Sequence, residues 1–184
     1  MATRDGHTVR RLTRRGRFTE ARFSPLGDRV LAVRHGRPAT LVTIPVEGGS
    51  TSTVAVIRRG GAAGLDWAPN GRKIAYGVTV TIPPDPKDRD PVTGIRETIN
   101  VVTSAGRGRR SLGDGRFPTY SPDGRFIVFE GQCVASDTTP GVCIMRSDGS
   151  GRRFAARWDE QGAFRPEVGG LMTQAGAPWL RAGR

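Results

Sequence analysis

The sequence predicts an all-β fold, a β-propeller of four-stranded antiparallel blades with about four blades' worth of chain, on three observations. A turn of the Ser-Pro-Asp-Gly kind, set between an aromatic residue and an apolar run, recurs as "FSPLGDRVLAV" at 23–33, "WAPNGRKIAYG" at 67–77 and "YSPDGRFIVFE" at 120–130. The prolines of these turns, with a degenerate fourth copy in "FRPEVGGLM", are Pro25, Pro69, Pro122 and Pro166, at intervals of 44, 53 and 44 residues. A period in the low forties with strand-like content is that of propeller blades. Glycine at 26 and proline at 13 of 184 residues supply the reversals that many short strands need.

Each element follows from its residues. Ser at the first turn position, Pro at the second, Asp or Asn at the third and Gly at the fourth favour a type I turn, with proline pre-setting φ. The runs after it, "DRVLAV", "RKIAY" and "RFIVF", are β-branched and aromatic, so the turn joins a first strand to a second. Third strands end in glycine-bearing turns at "TLVTIPVEGG", "TINVVTSAGRG" and "GVCIMRSDGSG", and basic outer segments follow in "IRRGG", "GRRSLG" and "GRRFAA". Four strands per repeat make a blade. Phe23, Trp67, Tyr120 and Phe164 share one repeat position, which is read as packing between blades. "MATRDGHTVRRLT" matches "IMRSDGSGRRFAA", so 1–12 is expected to be the outer strand of a split blade. Whole blades are expected at 13–57, 58–112 and 113–156, and a degenerate part-blade at 157–184. Such a chain closes as a small four-bladed ring, forms a slice of a larger propeller, or completes itself by self-association.

The aromatic–Ser-Pro-Asp-Gly–x–x–Ile–x–Phe pattern, followed by "CIMRSDGSGRR" and a basic outer strand, resembles the TolB-type, WD-repeat-like propeller repeat over roughly 1–156. The resemblance implies a non-catalytic scaffold that binds other proteins, outside the cytoplasm in many members. The namesake of the family is six-bladed and sits behind a small α/β domain; this chain departs from both features. Propellers of this repeat also form the non-catalytic half of prolyl-oligopeptidase-like serine peptidases, which leaves a propeller portion without its hydrolase domain as the alternative.

Cys133 and Cys143 flank "VASDTTPGV" between the second and third strands of the third blade. Adjacent antiparallel strands are expected to bring the two cysteines face to face, so a disulfide across that hairpin is favoured over two reduced thiols, and it argues for a periplasmic or secreted location. The insertion "IPPDPKDRDPVTGIRE" at 82–97 lengthens the equivalent connection in the second blade. Its acidic residues lack the alternate spacing and central glycine of a calcium loop. In an antiparallel blade the strand 2–3 and strand 4–1 connections emerge on one face, and loops on a rigid scaffold carry binding. Asp85, Lys87, Asp88, Arg89, Asp90, Arg96, Asp137 and Thr138 are therefore the candidate partner-binding residues, with a protein as the expected partner.

The formal charge of +12, with pI near 11.4, keeps a polyanion or nucleic acid as a second alternative. The charges are scattered, however, and the arginine pairs Arg10-Arg11, Arg58-Arg59, Arg109-Arg110 and Arg152-Arg153 read as guards of the outer edge. No Gly-x-Ser-x-Gly elbow occurs, and His7 and His35 are the only histidines, both expected in exposed turns. The expectation is thus no enzyme, no cofactor and no metal. No apolar run approaches the roughly 20 residues of a membrane span, and the first ten residues lack the apolar core of a signal peptide.

Overall fold

A sheet flanked by two others must be apolar on both faces, and the strands that follow each turn are. A computed structural model of the chain describes residues 11–84, 87, 93–134, 136, 139–158 and 164–166. These residues contain no helix. They form β1 (Phe18–Phe23), β2 (Arg29–Arg34), β3 (Ala39–Pro45), β4 (Ser52–Ile57), β5 (Gly61–Trp67), β6 (Lys73–Ile82), β7 (Gly94–Thr103), β8 (Arg110–Asp114), β9 (Arg116–Tyr120), β10 (Phe126–Gln132), β11 (Pro140–Arg146), β12 (Arg153–Trp158) and β13 (Phe164–Pro166). The sheets run β1-β2-β3-β4, β5-β6-β7-β8 and β9-β10-β11-β12-β13, every pairing antiparallel.

The turns close as their residues demand. Gly27, Gly71 and Gly124 take φ of 73°, 68° and 70°. Their amides donate to the carbonyls of Ser24, Ala68 and Ser121. The hydroxyl of Ser121 bonds the Asp123 carboxylate and accepts from the Phe126 amide, which fixes where β10 begins.

The sheets stack in chain order. Leu31, Val33 and Leu41 of the first sheet meet Trp67, Ile74 and Tyr76 of the second in one buried cluster. Ala75, Ile99 and Val101 on the second sheet's other face meet Tyr120, Ile127 and Phe129 of the third. Neighbouring turns also lock. A Cβ on Gly71 would stand 3.9 Å from Pro25, and one on Gly124 would stand 3.3 Å from Pro69, so each proline rests on the glycine of the next turn.

Four expectations are corrected. Phe23 is 58% exposed, whereas Trp67 and Tyr120 are each 7% exposed, because no sheet stands before the first one among the described residues. Phe164 does not open a fourth blade: Phe164–Pro166 pairs with the outer edge of β12, Trp158 opposite Phe164. Cys133 and Cys143 are bonded, with Cα atoms 5.2 Å apart, but they are not opposed in the ladder. Cys143 pairs with Phe129, and Cys133 lies just past β10 and folds back.

The arginine pairs, finally, are not equivalent. Arg58-Arg59 follow β4, while Arg109 and Arg152 immediately precede β8 and β12. Arg109 donates to the Val56 carbonyl of the first sheet at 3.1 Å. Arg152 donates to the Leu112 carbonyl of the second sheet at 3.2 Å and also to that of Asp114. Their guanidinium groups lie over Tyr76 and Phe129, residues at one repeat position, at 5.8 and 4.6 Å from the ring centres. These two arginines clasp neighbouring blades rather than guard an edge.

Candidate functional site at the long-loop face

β6 and β7 pair without interruption from Lys73↔Thr103 to Ile82↔Gly94, ten residues each, where the corresponding strands of the other sheets have six or seven. The extra length is an arm that carries the β6–β7 connection outward. Strand alternation splits its apolar residues between two faces. Val78 and Val80 pack toward the first sheet, and Ile82 beyond them is 44% exposed. Ile95 is 70% exposed on the opposite face, in line with Glu97 and the buried Ile99.

Beside the arm, the start of β9 carries an ionic bridge between blades. Arg116 Nε donates to Glu130 at 2.7 Å, and its Nη1 reaches Glu97 at 3.4 Å. Glu130, foremost, and Glu97 raise the guanidinium's already high pKa. Thr79 donates to Glu97 at 3.3 Å, which orients that carboxylate. Arg96 pairs with Asp114 at 3.5 Å, both groups well exposed. Phe117, 51% exposed, lies 5.5 Å beneath the Arg116 guanidinium.

Phe117 has φ of 51°, and its counterparts three residues before Trp67 and Phe23 are Gly64 and Glu20, at φ of 65° and 59°. The three mark one repeated irregularity in the innermost strand. A Cβ on Gly64 would lie 2.6 Å from the Phe117 Cα, so glycine there permits the second and third inner strands to touch. Glu20 accepts from the Gly64 amide at 3.0 Å. Asp66 likewise accepts from the Tyr120 amide at 2.7 Å. Burial pushes the Asp66 carboxyl above its ordinary value, against the lowering effect of that bond. The Tyr120 hydroxyl is pushed up to about 12, by burial first and then by the Asp66 charge.

The same face continues over the first blade as a shallow cleft of about 570 Å³ between Gly36–Ala39 and the β4–β5 connection at Ile57, Arg58 and Gly60. Gly60 has φ of 77°, and a Cβ there would fall 1.9 Å from the Thr79 carbonyl oxygen, so only glycine fits. His35 is exposed and 2.9 Å from the Thr19 hydroxyl.

Of the residues expected from sequence, Arg96 lies on the arm and Lys87 is exposed beyond it. Cys133 and Cys143 staple the neighbouring connection. Asp85, Asp88, Arg89, Asp90, Asp137 and Thr138 lie outside the described residues, as does His7. Sequence reasoning missed Ile95, Glu97, Arg116, Phe117 and Glu130. A signal for Glu130 was present: in the aligned copies it stands where the others have Val33 and Gly77, a carboxylate in an otherwise apolar or small column. Among the described residues, no group of three or more His, Cys, Asp or Glu could hold a metal ion.

No family model matches the chain, and no curated protein matches it. Solved structures do. TolB from Acinetobacter baumannii aligns with a TM-score of 0.61 at 13% identity, over 91% of this chain and 43% of that one. A structure of a nidogen/laminin complex aligns at 0.55 and 18%, over 77% of this chain and 48% of that one. Oligogalacturonate lyase from Vibrio parahaemolyticus aligns at 0.54 and 11%, over 88% and 42%. At these identities the likeness shows the fold alone. The fold is a β-propeller, whose described residues form an unclosed arc, and the chain spans less than half the length of each of these three structures.

Proposed function

We propose that the chain is a non-catalytic propeller scaffold that binds a protein partner through its long-loop face. The observation that carries this reading is the β6–β7 arm, whose exposed Ile95 lies on the strand face of Glu97, a member of the Glu97–Arg116–Glu130 bridge over the exposed Phe117, while Ile82 is exposed on the arm's other face. Solvent-exposed apolar residues ringed by fixed charges are the composition of a protein interface, with an anchor at its centre and a polar rim. The buried Cys133–Cys143 bond supports an oxidising compartment, periplasmic or extracellular.

Affinity capture from the native source with wild-type protein, an Ile95→Asp/Phe117→Ala variant and a Leu26→Asp control tests the reading. Leu26 is 89% exposed on the opposite, turn-bearing face. The expected result is a partner retained by wild type and control but lost by the arm variant. A partner that follows Leu26, or is indifferent to all three, contradicts the proposal.

The charge of +12 favours a second reading, polyanion binding. Arg109 and Arg152 are engaged between blades, which removes two of the charges it would draw on. Salt-sensitive retention on heparin would support that reading, and elution at low salt, near that of a neutral protein of similar size, would dismiss it.

A further inference from the structure

Positive charge is unevenly distributed along the chain. Residues 11–60 hold ten arginines against Glu20, Asp28 and Glu47, which gives them +7 of the formal +12. On the arm the arginines are neutralised: Arg96 pairs with Asp114, and Arg116 with Glu97 and Glu130. On the same face of the first blade, Arg37 and Arg58 are exposed and have neither an ion pair nor a hydrogen bond among the described residues.

Both line the cleft of about 570 Å³, and the strand register fixes where they stand. The cleft's floor is the cross-strand pair Ala39↔Ile57, at the end where β3 begins and β4 stops, 7% and 1% exposed. Arg58 follows that pair by one residue on β4's side, and Arg37 precedes it by two on β3's side. Two cationic side chains from adjacent strands therefore share one apolar floor, with Pro38 beside them and no carboxylate in the lining. Gly60, also in the lining, is seated against the Thr79 carbonyl of β6, and the Thr79 hydroxyl bonds Glu97 of the ionic bridge. Cleft and arm are thus parts of one continuous surface.

The geometry points to an acidic peptide segment of the protein partner as the occupant of this cleft, an aspartate or glutamate seated between Arg37 and Arg58 and an apolar neighbour over Pro38 and Ala39. This rests on the long-loop face being the binding face, and it adds the chemistry of what binds there. Two guanidinium groups in one cleft repel each other until an anion sits between them, and their planar forks match the two oxygens of a carboxylate. The apolar floor selects among anions. A polyanion such as heparin or nucleic acid presents charge along its whole length, whereas a peptide sets an apolar side chain beside each charged one.

Titration of the full chain into a rhodamine-labelled peptide of alternating glutamate and leucine, read by fluorescence anisotropy at physiological salt, tests the assignment. Wild type is expected to bind this peptide, and to bind its glutamine counterpart at least about tenfold more weakly. Arg37→Gln/Arg58→Gln should lose at least about tenfold for the glutamate peptide while keeping the wild-type melting temperature. Arg72→Gln/Arg107→Gln removes the same charge from exposed positions on the turn-bearing face and should bind like wild type. Failure of wild type to bind overturns the inference. Equal weakening by the two variants overturns it too, because net charge alone then holds the peptide. A heparin oligosaccharide whose affinity falls with Arg37→Gln/Arg58→Gln while the peptide's does not would give the cleft to a polyanion instead. The titration needs no native partner, so its failure is distinct from that of the capture experiment. A native partner lost by Ile95→Asp/Phe117→Ala but retained by Arg37→Gln/Arg58→Gln leaves the long-loop reading standing and overturns the acidic segment.

Discussion

At Asp66 a half-buried carboxylate is held against the Tyr120 amide, and burial raises its pKa despite that bond. The folded state therefore holds the Asp66 proton more tightly than the unfolded chain does. Its unfavourable contribution is absent below the ordinary carboxylate pKa of about 3.9 and grows as pH rises through the raised folded value. Asp66→Asn keeps an oxygen for the Tyr120 amide and removes the charge. Its stability relative to wild type, from urea melts at several pH values, should increase from acid to neutral pH; a decrease would contradict the assignment. Asp66→Ala instead orphans the amide and should cost about 1–3 kcal/mol. Gly60 is a stricter case. A left-handed backbone and a neighbouring carbonyl exclude any Cβ, so Gly60→Ala should cost at least about 2 kcal/mol in the same assay, and a near-neutral result would refute the geometry.

Between elements, one device joins neighbouring blades and another staples a connection within one. One is the pairing of Arg109 with Tyr76 and of Arg152 with Phe129, which sets a guanidinium over a ring while it donates to the preceding sheet's carbonyls. Burial pulls the Arg152 pKa down, and the nearby Asp114 charge opposes the fall. Arg152→Ala should destabilise by about 1–3 kcal/mol. Arg152→Lys should recover only part of that, because one ammonium cannot fork to two carbonyls. Equal stability of all three proteins in denaturant would disprove the clasp. The other device is the Cys133–Cys143 bond, which closes a ten-residue separation within the third sheet. In the chain-entropy account its reduction, or Cys133→Ser/Cys143→Ser, should cost about 3 kcal/mol, readable as a lowered melting temperature.

These elements also show why the sequence was legible in places and silent in others. The turns could be read because Ser, Pro, Asp and Gly act through their own backbones, within four residues. The strands after them could be read from β-branched and aromatic runs. The arginine clasps could not: Arg109 and Arg58 look alike in a basic segment, and only the register shows that one precedes an outer strand while the other follows one. Phe23 was misassigned for a related reason. The repeat correctly gives its position, but burial depends on the neighbouring sheet. The ionic bridge at Arg116 joins residues from β7, β9 and β10, a meeting that no local pattern announces.

At the scale of the whole molecule, the arc holds three rigid sheets whose inner edges touch and whose long-loop face carries an extended arm, an ionic bridge and a disulfide-closed connection. The turn-bearing face is the more regular of the two, with prolines stacked on glycines, and it serves the fold. The division of labour between the faces is the central claim. Its most direct test places a photo-crosslinking residue at Ile95 in one protein and at Leu26 in another, with each expressed in the native source and irradiated. The account predicts a discrete protein adduct from position 95 and none of comparable yield from position 26. Adducts from position 26 alone, or equal labelling from both, would contradict it.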